Sequence, residues 1–161
     1  MRQKKTILIP IDFSIESLNT LKLALEENKS ESVSVVLVYT EHLTNSISEL
    51  LFYSSQKIIQ SYTSPQFNDA INIIKNTYES TLQSLRIELF HGCNKNALRN
   101  FLEALQIDHI YLPKTYRLKL KKNGFDPIPI IKKITTNYKE VSWHSDDKTS
   151  TVNQLQLLFN K

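Results

Sequence analysis

Hydrophobic positions along this chain fall into short unbroken apolar runs, separated by longer stretches in which they recur every three or four residues. That is the pattern of strands alternating with helices. Thr6 to Ile11 is apolar and β-branched without polar interruption, as in a central parallel strand covered on both faces. Ser14 stands at the N-cap position of the helix that follows, with Phe13 and Leu18 spaced as a hydrophobic staple. Ile15, Leu18, Leu21, Ala24 and Leu25 form the stripe facing the sheet, which leaves Glu16, Asn19, Lys22 and Glu26 outward. Val33 to Tyr39 reads as a second buried strand and completes a βαβ unit.

Ile47 to Tyr62 is helix-compatible until Ser61-Tyr62-Thr63-Ser64-Pro65 interrupts it, where Ser64 and Pro65 supply the N-cap and first turn of another helix. Two helices are therefore expected here, the second with Phe67, Ala70, Ile71, Ile74 and Tyr78 on one stripe. Leu85 to Phe90 is a third strand, Gly92 a turn, and Ala97, Leu98, Phe101, Leu102 and Leu105 the buried stripe of the next helix. His109 to Leu112 is a fourth strand, ended by Pro113. A basic loop runs to Gly124, Asp126-Pro127 opens a helix carrying Ile130, Ile131, Ile134 and Tyr138, and Val141 to His144 is a fifth, edge strand. The alternation, with right-handed crossovers, gives an α/β fold: a doubly wound parallel five-stranded sheet with helices on both faces. Residues 1–145 are read as one domain, and 146–161 as a C-terminal tail whose QLQLLF suits a short helix.

Composition changes this picture little. A length of 161 residues suits one domain with its own core. One cysteine excludes an internal disulfide, and MRQKK leads directly into a strand rather than a signal-peptide apolar region, so a cytoplasmic location is expected. The longest apolar runs, ILIPI and VSVVLV, fall far short of the ~20 residues a membrane span needs. No membrane partner follows, and the net charge of +4 matters less than its distribution.

TILIPIDFS followed by SLNTLKLAL resembles the opening of the universal stress protein family, and FHGCNKNALRNFLEALQIDHIYLP is similar to that family's third strand, glycine turn, helix and fourth strand. The resemblance extends over most of residues 5–144. It implies a strand order of 3-2-1-4-5 in an adenine nucleotide alpha hydrolase-like sheet, a role in stress response, and homodimerisation through the last strand, with Val141 and Trp143 at the dimer edge. It also implies an aspartate at the end of the first strand, here Asp12, that contacts the nucleotide in members that bind ATP.

Those members place a Gly, two residues, a Gly, nine residues, and a Gly followed by Ser or Thr after the fourth strand. At that spacing this chain has Pro113, Tyr116, Asp126 and Pro127. The prolines have no N–H to offer a phosphate, Tyr116 brings bulk where close backbone approach is needed, and a carboxylate at Asp126 repels an anion. The expectation is a degenerate nucleotide-binding site and no cofactor, with ATP or AMP kept as the alternative. Asp12, Tyr39 and Lys114 are placed around the candidate ligand cleft. Asp12 itself reads either as a ribose or base contact or as a turn aspartate supporting Ser14.

Lys114, Arg117, Lys119, Lys121 and Lys122 put five positive charges within nine residues. Such a run is a solvated loop, a side-chain hold on phosphates, or a surface for an acidic protein partner. Nucleic acid is not expected, because Tyr111 and Tyr116 are the only nearby aromatics and no DNA- or RNA-binding motif is present. Cys93 after His91-Gly92 is either a thiol lowered by a helix N-terminus or a plain surface thiol without a resolving partner. His42, His91, His109 and His144 lack metal-ligand spacing, so no metal is expected. With two glycines in all, no glycine-rich phosphate cradle or nucleophile elbow can be built, and no acid-base pair can be named. These features favour a non-enzymatic module acting through dimerisation and protein contacts. The alternative is a nucleotide- or small-anion-binding protein, even a weak hydrolase, using Asp12 and the loop 114–122.

Overall fold

The structure is a computed structural model that describes residues 4–43, 46–92 and 94–143, without the side chain of Glu49. Five strands make one sheet: β1 (Lys4–Pro10), β2 (Ser32–Thr40), β3 (Leu82–Phe90), β4 (His109–Pro113) and β5 (Tyr138–Val141). Every pairing is parallel and the order is β3-β2-β1-β4-β5. The helices are α1 (Leu18–Glu27), α2 (Ile47–Leu51), α3 (Ser55–Tyr62), α4 (Pro65–Thr77), α5 (Lys95–Ala104) and α6 (Ile128–Ile134).

The sheet has a core on each face because successive side chains point oppositely. Ile7, Ile9, Val35, Leu37 and Tyr39 enter the cluster that holds Leu18 and Leu21 of α1 and Phe67 and Ile74 of α4. Leu8, Val36, Val38 and Leu112 enter the opposite cluster, with Leu98 of α5 and Ile131 of α6. The apolar runs are thus buried on both sides, as their lack of alternation predicts. Chain order reverses across β1 and β4, so a crevice is expected outside their carboxyl ends.

Several boundaries differ from the sequence reading, each for a local reason. Helix α1 begins at Leu18, after Phe13 takes φ 64° and residues 14–17 form a turn of their own. Ser14 Oγ does accept an N–H, that of Ser17 at 3.2 Å, but it closes this turn and not the helix. Glu16 is buried instead of outward, because the loop after β4 lies over it. The segment expected as one helix to Tyr62 is two, α2 and α3, since Ser54 accepts the Lys57 N–H and starts afresh. Ser64 and Pro65 open α4 as expected, with the Phe67 N–H bonded to Ser64 Oγ at 3.0 Å.

Helix α6 starts one residue later than Asp126 as N-cap implies: its N-cap is Pro127, while Asp126 still supplies the capping carboxylate, Oδ1 accepting the Ile128 N–H at 2.9 Å. It ends at Ile134, where Thr135 turns extended and its hydroxyl accepts the Asn137 N–H. Tyr138 therefore begins β5 and does not belong to the helix, and the edge strand is Tyr138–Val141, not Val141 to His144. Cys93, His144 and the tail 146–161 lie outside the described residues. Among the described residues no helix is long and apolar enough to cross a membrane.

Candidate functional site

The crevice outside β1 and β4 is occupied by the protein's own chain. Asp12, which follows β1 and is 5% exposed, accepts four hydrogen bonds. Oδ1 takes the Ser14 N–H at 2.9 Å and the Ser14 hydroxyl at 2.5 Å, and Oδ2 takes the Tyr116 hydroxyl at 2.5 Å and the Lys119 N–H at 2.7 Å. The left-handed turn at Phe13 aims the carboxylate this way, and the Phe13 ring holds the turn by packing 5.2 Å from Tyr39 and 5.6 Å from Phe67. Burial first, and then the Asp12 carboxylate, raise the Tyr116 hydroxyl far above the ordinary tyrosine range, so it stays protonated and remains a donor.

Residues 114–125 are stitched across the sheet ends point by point. The Lys114 N–H bonds the Val141 carbonyl at 2.8 Å, Thr115 Oγ1 donates to the Trp143 carbonyl at 3.2 Å, and the Trp143 ring stacks on Tyr116 at 5.3 Å. Further along, the Lys121 N–H donates to the Tyr39 hydroxyl at 3.0 Å, and Gly124 bridges antiparallel to Glu41 beyond β2. Phe125 donates its N–H to Thr40, whose hydroxyl returns a bond to the Phe125 carbonyl. An added Cβ at Gly124 would stand 2.6 Å from the Tyr39 hydroxyl, which is fully buried and cannot swing away. We expect Gly124→Ala to cost about 1–3 kcal/mol by overpacking, read as a lower urea midpoint at unchanged slope.

The sequence-derived sites are thus distributed as follows. Asp12 and Tyr39 meet at the crevice, both bonded to the loop; Lys114 meets it only through its backbone, its side chain being exposed. Pro113 ends β4, Tyr116 fills the crevice, and Asp126 and Pro127 start α6. Arg117, Lys119, Lys121 and Lys122 are exposed around it, Lys119 Nζ lying 3.5 Å from Glu16 and Lys121 Nζ 4.9 Å over the Tyr62 ring. Val141 is buried and Trp143 half-buried against Tyr116, both at the β5 edge. Sequence reasoning missed Glu16 as the partner of Lys119, Ser17, whose hydroxyl bonds the Ser14 carbonyl, and the pair Glu41–Tyr62. Among the described residues no group of three or more His, Cys, Asp or Glu is placed to hold a metal ion.

No family model matches the chain, and no curated protein matches it significantly in sequence. Solved structures do. The universal stress protein UspA from Lactobacillus plantarum superposes with a TM-score of 0.55 at 12% identity, covering 89% of this chain and 99% of that one. A universal stress protein family protein from Arabidopsis thaliana, determined with AMP bound, superposes at 0.51 with 10% identity, covering 91% and 96%. Together with the sheet order β3-β2-β1-β4-β5, these likenesses establish that this chain has the universal stress protein fold.

Proposed function

We propose that this protein is a nucleotide-independent member of the universal stress protein family, a stress-response module whose nucleotide crevice is closed by its own β4–α6 loop and which works through protein contacts. The observation that carries the reading is the Asp12 carboxylate, whose two oxygens are taken up by Ser14, Tyr116 and Lys119. A bound nucleotide would have to displace all of them and would find no N–H at Pro113 or Pro127. The exposed lysines and Arg117 on the same loop then offer an acidic protein partner a surface held in one shape, and two copies pair along the free edge of β5 beside Val141 and Trp143.

Calorimetry with ATP, ADP and AMP, with and without magnesium and at salt high enough to screen loose attraction to the loop, tests the central claim. No saturable heat at millimolar nucleotide is expected. Micromolar binding would overturn it in favour of side-chain phosphate capture by the basic loop. A monomer at every concentration in sedimentation would remove the pairing of copies.

A further inference from the structure

A second concavity, of about 380 Å³, lies on the other side of this loop, outside the carboxyl ends of β2 and β3. Its walls include Phe52 and Tyr53 from the α2–α3 turn, Ile58 and Tyr62 of α3, and His42 and His91. Glu41 lines it and is only 5% exposed. The carboxylate has one hydrogen-bond partner among the described residues, the Tyr62 hydroxyl at 2.7 Å on Oε2, and no cation pairs with it there. A carboxylate this deep is costly unless something offsets its charge.

The other polar groups show which kind of ligand does so. His91 Nδ1 donates to the Glu41 carbonyl at 3.1 Å, and in the neutral ring Nε2 then accepts from the Tyr53 hydroxyl. Both tyrosine hydroxyls are thereby spent as donors, on Glu41 and on His91. What the cleft presents is an unshared carboxylate oxygen among aromatic rings, which calls for an N–H donor bearing positive charge and suits cation–π contact with the walls. The volume is that of a small-molecule site. Lys57, exposed at the mouth, is the one lysine or arginine lining it among the described residues, and Lys121 stands behind the wall with its Nζ 4.9 Å over the Tyr62 ring.

We infer that this cleft binds a small organic cation, an amine carried on an apolar or aromatic body, with Glu41 as its counter-ion and Phe52 and Tyr53 around it. The site is separate from the Asp12 crevice and does not depend on whether that crevice takes nucleotide.

Benzylamine, charged at neutral pH, is the probe, with benzyl alcohol as its neutral match, followed by NMR shifts of the His91 and Tyr62 signals. Saturable binding of benzylamine at least about tenfold tighter than benzyl alcohol is expected, since hydrogen bonds to charged groups are the stronger class. Glu41→Gln keeps an acceptor for Tyr62 and should erase that preference. Phe52→Ala, at an 83% exposed position that carries no folding risk, should weaken benzylamine about two- to fivefold. Lys57→Ala should strengthen benzylamine and leave benzyl alcohol unchanged. Equal affinity for the two probes, or a preference that survives Glu41→Gln in a folded variant, overturns the inference, and so does Phe52→Ala without effect.

Discussion

Replacing Asp12 with alanine is expected to lower the unfolding free energy by about 3 kcal/mol, within a range of roughly 2–4, while leaving the calorimetric response to nucleotide unchanged. The carboxylate accepts four hydrogen bonds, two of them from a loop more than a hundred residues away in sequence. Removing it leaves the part-buried Lys119 N–H without its acceptor and the Tyr116 hydroxyl with only that of Ser14, 3.0 Å away, and an unmet buried donor costs more than the bond it formed. The single tryptophan, Trp143, stacks on Tyr116 and so reports the loop. In urea titrations its fluorescence should change ahead of the far-ultraviolet circular dichroism in the variant and together with it in the parent. Asp12→Asn, which keeps one acceptor oxygen, should fall between the two. A loss below about 1 kcal/mol would mean that the carboxylate is spare in the folded chain and kept for a ligand.

Local signals mark parts of this fold in the sequence, and contacts between distant residues hide the rest. Residues 7–10 of β1 and 35–39 of β2 are buried on both faces and must be apolar, so their runs are unmistakable. The Ser64–Pro65 start of α4 is equally local, one hydroxyl and one missing N–H. What was not legible depends on groups far apart in the chain. Glu16 sits at a position that helix periodicity assigns to solvent, and only the returning loop with Lys119 buries it. Glu41 follows a strand with nothing nearby to mark it, and its partner Tyr62 belongs to a helix of the next crossover. The break between α2 and α3 rests on the Ser54 cap inside an otherwise helix-compatible stretch, where the short-range signal favours neither outcome. Asp12 was legible as a residue with two readings, and the donors that engage it, Tyr116 and Lys119, carry no periodic signature at all.

Strongly alkaline solution should unfold this protein steeply, in a window opening near pH 10. Four tyrosine hydroxyls donate to carboxylates: Tyr62 to Glu41, Tyr78 to Glu26, Tyr111 to Glu27 and Tyr116 to Asp12. Burial, reinforced by the neighbouring carboxylate, raises all four above the ordinary value of 10.0. Because the folded forms hold their protons longer than the unfolded chain, this contribution is complete below pH 10 and is lost as pH climbs above it. Each tyrosine kept neutral removes at most about 1.4 kcal/mol per pH unit, so Tyr62, Tyr78 and Tyr116, the most strongly raised, remove up to about 4 together and Tyr111 adds less. Against a total stability of roughly 5–15 kcal/mol, a loss at that rate is large enough to unfold the chain within a few units above pH 10. Tyrosinate absorbance and far-ultraviolet circular dichroism should therefore change together for most of the tyrosine signal. Tyr78→Phe, which leaves the ring in the core but has no hydroxyl to ionise, should make the alkaline loss shallower by one tyrosine's share. Tyrosinate appearing in full before any loss of helical signal would show that these hydroxyls reach water in the folded state, and the closed crevice at Asp12 would fall with that result.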